Sequence, residues 1–203
     1  MQINTFIHHQ IISMKKAIVF ITIFLITGLC KLSAQTSVPK GYGTGVLTLA
    51  SGQIETGYIK ESIRGNASVV IITTDGKKKI YNGNDLTAAS IDSNRFVCIK
   101  GDFFRVVCEG EIYFLQKSSN AAGKAVYNGT EAIFINGTEG KINDYFFYDK
   151  TQQQLKLLTK KNVNDLITGT FNNCPAAIAK AKENGTDMAA LRQAVELYNN
   201  REK

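Results

Sequence analysis

The strongest strand signal in this chain is the stretch RFVCIKGDFFRVVCEGEIYFLQ, which runs from Arg95 to Gln116. It contains three short runs of β-branched and aromatic residues, separated at Gly101-Asp102 and at Glu109-Gly110. Residues of these types favour strands, and a glycine beside an acidic residue between two such runs is typical of a hairpin turn. The stretch therefore predicts three consecutive antiparallel strands.

The pairing within these hairpins follows if both loops have two residues. The expected pairs are then Cys98 with Arg105, Phe104 with Leu115, Val106 with Tyr113 and Cys108 with Glu111. Both faces of the strands are largely apolar, which predicts a central position covered on both sides. In this register Cys98 and Cys108 point to opposite faces and cannot form a disulfide, whereas a bulge of one residue would reverse that conclusion.

The beginning of the chain has the features of a secretory signal peptide. Met14 is followed by Lys15 and Lys16, an apolar run of 13 residues from 17 to 29, and a small-residue exit before Gln35. We expect cleavage after Ala34, and Met14 as the true start. The apolar run is shorter than the roughly 20 residues that a membrane span requires. A membrane anchor or a buried helix is the alternative, and Cys30 raises a third one, a lipid anchor, which the preceding Leu29 disfavours.

Removal of residues 1–34 changes the chemistry that is open to the protein. Three lysines leave and no acid does, so the net charge falls from +7 to +4, and a scattered charge of this size does not predict nucleic-acid binding. His8 and His9 leave as well, and the mature chain then has no histidine. Histidine-based catalysis and histidine zinc sites are therefore excluded in the mature form.

Three cysteines remain after the expected cleavage, namely Cys98, Cys108 and Cys174. They form no CxxC pair, so a structural zinc site is not expected. We expect no more than one disulfide, for which Cys108 and Cys174 are a possible pair, and an odd count leaves at least one free thiol.

Shorter strand signals lie on both sides of the central stretch. The residues rich in strand formers are 46–50, 53–59, 68–73, 78–81, 88–91, 132–135, 141–148 and 153–158. The turn at Asp75-Gly76 is a strong hairpin signal, and Lys77–Lys79 after it indicates a solvated edge. The small, polar segment 117–129 is typical of a loop. Tyr145–Tyr148 could stack sugars or bases, but without a basic groove we interpret it as a buried strand.

Helical spacing appears only in the last part of the chain. A first helix is expected after a cap at Asn162, and a second begins at Pro175 and ends at Gly185. The last helix has a cap at Thr186 and an apolar stripe formed by Met188, Leu191, Val195 and Tyr198. We expect this stripe to pack against the sheet.

These signals predict an α+β fold with about 7–9 antiparallel strands in meanders and hairpins, sandwich-like or barrel-like, followed by two or three C-terminal helices. The expected organisation is a signal peptide over 1–34, a flexible leader over 35–45 and a single domain over 46–203. Within that domain, 46–159 is β-rich and 162–200 is helical.

No catalytic, cofactor-binding or metal-binding motif is present in the sequence. We therefore expect a protein that is not an enzyme, without cofactor or metal. The alternative is a histidine-free hydrolase or lyase that uses carboxylates, for example Asp144 with Glu131, or Tyr145. Two carboxylates lining one pocket would favour that alternative.

Several stretches resemble uncharacterised secreted or periplasmic β-rich proteins of Bacteroidota, a Gram-negative group. They are the signal ending Leu-Ser-Ala-Gln, the strand sequences 45–49 and 52–59, the strand pair 104–113 around Gly110, and Asn173-Cys174-Pro175 before a helix ending at Tyr198-Asn199. The resemblance implies an exported, β-rich protein and no catalytic residue. We expect a periplasmic or secreted component of the cell envelope that acts as a non-catalytic binding or structural module. Its expected partner is an envelope protein or a glycan, and we expect no nucleic-acid binding and no stable membrane span after cleavage.

Overall fold

The fold is seen in a computed structural model that describes residues 38–128, 131–134, 137–183 and 187–201, with side chains outside 126–136. The expected signal peptide, with Met14, Cys30 and both histidines, lies outside the described residues. So do Gly185 and Thr186, which were expected to end one helix and cap the next.

Twelve strands and four helices make up the described chain. The strands are β1 (Gly43–Leu49), β2 (Ile54–Ser62), β3 (Ser68–Thr73), β4 (Lys78–Asn82), β5 (Leu86–Ile91), β6 (Asn94–Ile99), β7 (Asp102–Cys108), β8 (Ile112–Lys117), β9 (Ala125–Asn128), β10 (Glu131–Phe134), β11 (Tyr145–Asp149) and β12 (Gln154–Leu157). The helices are α1 (Ile63–Asn66), α2 (Val163–Thr170), α3 (Pro175–Ala181) and α4 (Met188–Asn199).

Ten strands form one antiparallel sheet in the order β12-β11-β8-β7-β6-β5-β1-β2-β3-β4, and β9 pairs with β10 separately. The α+β class with C-terminal helices is confirmed. The expected sandwich-like or barrel-like architecture is wrong, because the sheet stays open between its edge strands β12 and β4. Its ten strands also exceed the expected 7–9. Strand β9 lies in the segment that was interpreted as a loop, because its small and polar neighbours hid a strand of four residues.

The three central strands are confirmed, but the pairing in the first hairpin differs from the expected one. Lys100 and Gly101 both have positive φ, of 49° and 82°, and form the two-residue turn. Asp102 is therefore the first residue of β7, opposite Ile99, and Cys98 pairs with Phe103 instead of Arg105. A turn of this type needs positive φ at both central positions, which fixes its place one residue earlier than expected.

A β-bulge at Val107 changes the second hairpin. Val106 faces Leu115 and Cys108 faces Phe114, so the expected pairs of Val106, Cys108 and Phe104 are wrong. The extra residue also turns Cys108 onto the sheet face that carries Cys98. The two thiols lie in separate apolar clusters, and Cys98, Cys108 and Cys174 are all free.

Helices α2 to α4 cover one face of the sheet around β7, β8 and β11, and we call this side of the sheet the helix face. Phe114 and Phe147 of the sheet pack there against Ile167, Leu191 and Val195 of the helices. The opposite face, which we call the loop face, carries the fully buried Phe104, Leu115 and Phe146. The prediction that the central strands are covered on both sides is therefore confirmed.

The helices begin close to where the sequence placed them. Pro175 is the first residue of α3, as expected. Asn162 precedes α2 but makes no side-chain cap, because its Oδ1 accepts hydrogen bonds from Thr159. Asp187 caps α4, since its carboxylate accepts from the Ala190 N–H at 2.6 Å, and Met188 of the expected buried stripe is exposed.

Candidate functional site

A cleft of about 250 Å³ opens where the helices meet the end of the sheet. The start of β8, the β11–β12 hairpin, the connection between α2 and α3, and the end of α4 form its walls. Its polar lining includes Glu111, Asp149, Lys156, Thr170, Asn172 and Tyr198. The site therefore combines groups of both charges with neutral hydrogen-bonding groups.

Strand pairing places two of the charged side chains. Lys156 of β12 pairs with Phe147, and Asp149 of β11 pairs with Ile112. Phe147 and Ile112 both belong to the core under the helices. Because directly paired residues share a face of an antiparallel sheet, Lys156 and Asp149 lie on the helix face and border the cleft.

Tyr198 is the most deeply buried polar side chain of the cleft. It is 6% exposed, and its ring contacts Phe171 with the ring centroids 5.2 Å apart. Its hydroxyl makes no hydrogen bond to any described residue. Among the described residues, Glu55 Oε2 is the only buried side-chain polar atom without a partner, so the Tyr198 hydroxyl itself reaches the solvent of the cleft. The phenol of Tyr198 is therefore available to a ligand in the cleft.

Burial also raises the pKa of the Tyr198 phenol. The positive charge of Arg201 lowers this pKa, and the carboxylates of Glu111 and Asp149 raise it. The net direction is upward, so the phenol keeps its proton at neutral pH. Tyr198 can then donate a hydrogen bond to a ligand, and it is poorly suited to act as a base or nucleophile.

Arg201 holds Tyr198 and Glu111 together at the rim of the cleft. Its guanidinium lies 3.6 Å from the centroid of the Tyr198 ring, and it also donates to the Tyr198 carbonyl at 2.5 Å. Its Nη2 donates to both carboxylate oxygens of Glu111, at 3.1 and 3.2 Å. Glu111 is thus neutralised by an ion pair, and the end of α4 is fixed to the start of β8.

The two other charged groups of the cleft, Asp149 and Lys156, can form further hydrogen bonds. The Asp149 Oδ1 accepts the backbone N–H of Gln152 at 2.8 Å, which closes the β11–β12 turn and orients the carboxylate. The Lys156 ammonium forms no hydrogen bond or ion pair within the described part of the chain. A carboxylate and an ammonium can therefore both contact a ligand.

A second polar cluster lies buried on the loop face, away from the cleft. Lys117 and Asp102 are both fully buried, with the Lys117 Nζ 3.1 Å from the Asp102 Oδ2. The ammonium also donates to the carbonyls of Thr138, Glu139 and Gly140, at 2.8 to 3.3 Å. Since the ammonium is surrounded by these acceptors, we interpret the cluster as the anchor that holds two loops on the sheet.

The residues proposed from sequence for carboxylate chemistry do not form a site. Asp144 accepts the backbone N–H of Lys141 at 2.7 Å in the turn before β11, and the Glu131 side chain lies outside the described residues. The Tyr145 hydroxyl accepts from the Gln116 amide at 3.1 Å, and its ring stacks on Phe114. Neither Asp144 nor Tyr145 lines the cleft. The interpretation of Tyr145–Tyr148 as a buried strand is confirmed.

The lysine run at 77–79 behaves as a charged edge only in part. Lys77 and Lys78 are exposed at the start of β4, the edge strand. Lys79 forms an ion pair with the buried Glu55 at 2.5 Å, and this carboxylate raises the pKa of Lys79. The third lysine is therefore held by an ion pair to a buried carboxylate, although 40% of its own side chain is exposed.

An exposed apolar strip lies on the face of β1, β2 and β4 that the helices do not cover. Val46, Ile54 and Ile80 are its exposed members, with Ile54 and Ile80 63% and 66% exposed. No element in the described ranges packs over these three side chains. Polar side chains lie on the same face among them, since Thr56 pairs with Val46 and Thr48 pairs with Ile54.

Neither a metal-binding cluster nor a helix that could span a membrane occurs among the described residues. No group of three or more histidine, cysteine or acidic side chains there could hold a metal ion. None of the helices in the same part of the chain has the length and apolar character needed to cross a membrane.

Sequence reasoning did not find the cleft. Tyr198 was interpreted as a core residue because its helical spacing predicts burial of the ring but gives no information on the hydroxyl. Asp149 ends the aromatic strand, and this change from aromatic to acidic residues was the available signal.

Comparisons of the chain with protein-family models, with curated proteins and with solved structures gave no match.

Proposed function

We propose that this chain is an exported component of the cell envelope and a non-catalytic binding protein, which holds a small polar solute in the cleft. The observation that carries the proposal is the hydroxyl of Tyr198. It belongs to a side chain that is 94% buried, it lines the cleft, and no described residue bonds to it. The ring is buried but the hydroxyl reaches the solvent of the cleft, so a ligand that accepts a hydrogen bond from it would replace the water there.

The volume of the cleft favours a small solute. The cleft has a volume of about 250 Å³. Sites for drug-sized ligands have about 300–1,000 Å³. A solute smaller than a drug-sized ligand fits this space better than an extended glycan. The glycan and the envelope protein that were expected as partners stay predictions.

The state of the cysteines is compatible with export. Burial raises the pKa of the Cys98 thiol to about 12, and burial also raises the pKa of Cys108. Thiolates are the reactive form, so thiols with a raised pKa oxidise slowly even in an oxidising compartment. Export itself is supported by the signal-like sequence of residues 1–34.

The cleft is better suited to binding than to catalysis. Glu111 is neutralised by Arg201, and Asp149 is engaged in a turn. A general acid needs a carboxyl group whose pKa is raised toward neutrality by burial or by a like charge. Glu111 instead forms an ion pair with the Arg201 guanidinium, so its carboxylate is already occupied.

One observation supports the hydrolase alternative. Two carboxylates, Glu111 and Asp149, line the same cleft, as glycosidases require of their acid and base. Lys150 donates its backbone N–H to the Glu111 carbonyl, so the two acids come from adjacent strand ends. Under this alternative, Glu111→Gln would abolish turnover of a chromogenic glycoside panel by the purified protein. No turnover by the unmodified protein would remove the alternative.

The binding proposal can be tested on the exported, processed protein labelled with ¹⁵N. We expect at least one member of a panel of free amino acids, monosaccharides and short dicarboxylates to shift the backbone resonances of Asp149, Lys156 and Tyr198. Tyr198→Phe, which removes only the hydroxyl, should lower the affinity for that solute about tenfold. Tyr148→Phe is the matched control, because Tyr148 lies on the loop face of the same strand pair. A panel without any effect on these resonances would refute the function.

A further inference from the structure

The two charges with unused capacity lie on one wall of the cleft at a defined spacing. Across β11 and β12, Phe147 pairs with Lys156 and Asp149 pairs with Gln154, so Lys156 and Asp149 are diagonal neighbours on the same face. Diagonal neighbours in an antiparallel pair are about 7–8 Å apart. No salt bridge joins their side chains within the described residues, so a positive and a negative group both face the ligand.

The remaining charges of the cleft cancel one another. Glu111 is paired with Arg201, and the second oxygen of Asp149 is not used by the turn. The ligand therefore meets one ammonium and one carboxylate. A solute with a single charge would satisfy one of these groups and leave the other without a partner, which costs binding free energy when the solute excludes water.

The aromatic lining argues against a sugar. Phe147 is 1% exposed and Tyr198 is 6% exposed, and both rings are covered by other side chains. The Arg201 guanidinium lies over the ring of Tyr198. Neither ring therefore presents a free face on which a sugar could stack.

We propose that the solute is a zwitterion of the α-amino acid class, with its carboxylate at Lys156 and at the Tyr198 hydroxyl and its ammonium at Asp149. This assignment rests on the proposed function of the cleft. In an α-amino acid the two charged groups are bonded to one carbon, through bonds of about 1.5 Å. The Lys156 ammonium and the Asp149 carboxylate would each bind one of these two groups through charge-assisted hydrogen bonds of about 2.7–2.9 Å.

The volume restricts the choice within this class. The cleft volume of about 250 Å³, below the roughly 300–1,000 Å³ of drug-sized ligand sites, favours a free amino acid with a short side chain. Thr170 and Asn172, at the α2–α3 wall, would contact that side chain and favour a polar one. A peptide bond at either end would remove one of the two charges that the wall recognises.

The test is calorimetric titration of the processed protein with each free L-α-amino acid and with glucose. For the tightest amino acid, the N-acetyl and the α-amide derivatives are titrated as well. We expect each derivative to bind at least tenfold more weakly than the free amino acid, because each loses one charge. This comparison uses the unmodified protein and does not depend on the folding of any variant.

Two substitutions assign the charges to their residues. Asp149→Asn keeps the oxygen that accepts the Gln152 N–H. It should lower the affinity for the free amino acid tenfold or more and leave the affinity for the N-acetyl derivative unchanged. Lys156→Gln should lower the affinity for the free amino acid and leave the affinity for the α-amide unchanged. Lys160→Gln is the matched control, because Lys160 is exposed and does not line the cleft.

The outcomes separate this inference from the proposed function. Binding of glucose without binding of any amino acid would overturn the zwitterion and support the cleft as a binding site. Equal affinities for the free amino acid and both derivatives would overturn the zwitterion as well. The absence of binding by every solute in the titrations and in the resonance panel would overturn both.

Discussion

The side chain of Asn199 binds both backbone groups of Ile112. Its Oδ1 accepts the Ile112 N–H at 3.0 Å, and its Nδ2 donates to the Ile112 carbonyl at 2.8 Å. These are the two bonds that a neighbouring strand would supply, so the end of α4 continues the sheet at the start of β8. Because Tyr198 and Ile112 line the cleft, this contact also fixes one of its walls.

Replacement of Asn199 by alanine should destabilise the fold. The N–H and the carbonyl of Ile112 would lose their partners in a half-buried position, where an unsatisfied polar group costs about 1–3 kcal/mol. We expect a lower free energy of unfolding in urea, measured by circular dichroism. Asn200→Ala is the control, since Asn200 is exposed at the end of the same helix. Equal unfolding midpoints for the two variants would contradict the role of Asn199.

The effect of replacing Gly110 should depend on the contact between Asn199 and Ile112. A Cβ atom at position 110 would lie 2.2 Å from the Asn199 side chain, so Gly110→Ala forces that side chain away from Ile112. We expect Gly110→Ala to destabilise the protein in the Asn199 background and to have a much smaller effect in Asn199→Ala. The measurement is a double-mutant cycle of unfolding free energies. Additive effects would show that the two residues are not coupled.

The elements were predictable from the sequence where local chemistry is decisive. Strand β3 has the expected bounds, 68–73, because β-branched residues end at the Asp75-Gly76 turn. Helix α3 begins at Pro175 because proline at the first helical position loses no hydrogen bond. At both places the structure is determined by residues that are close in the sequence, so it could be predicted from the sequence.

The hairpin register and the cleft were not predictable for the opposite reason. Strands β7 and β8 are apolar on both faces, so the alternation of side chains does not distinguish one register from another, and the bulge at Val107 left no pattern. The cleft brings Glu111, Asp149, Lys156 and Tyr198 together from four elements. Their proximity depends on how the helices pack on the sheet, which no local pattern encodes.

Cys98 should be the least reactive thiol relative to its unfolded state. Burial raises its pKa to about 12, so at pH 8 about 1 in 10⁴ molecules carries the thiolate, against about a quarter at the ordinary pKa of 8.5. We expect labelling of Cys98 by iodoacetamide, followed by peptide mass spectrometry, to be about a thousandfold slower in the native protein than in urea. Native labelling within tenfold of the unfolded rate would show that the thiol is accessible and ionised.

The buried pair of Asp102 and Lys117 should make stability depend on pH in the acid range. Burial alone would raise the pKa of Asp102, but hydrogen bonds from Thr138, Ala121 and Lys117 outweigh it and hold the pKa below its ordinary value. A carboxyl group with a lower pKa in the folded state stabilises the fold above its unfolded pKa, which is about 3.9. That contribution is lost as the pH falls below this value.

Asp102→Asn tests this dependence because it removes the titrating group and keeps a similar shape. We expect the variant to be less stable at pH 7, since the fully buried Lys117 would lose its counter-ion, and breaking such a pair costs about 3–5 kcal/mol. Between pH 5 and pH 3 its unfolding free energy should fall less steeply than that of the unmodified protein. Asp165→Asn, at an exposed position of α2, should keep the original slope. Parallel curves for the unmodified protein and Asp102→Asn would show that Asp102 does not titrate with folding, and that the two loops are held by other contacts.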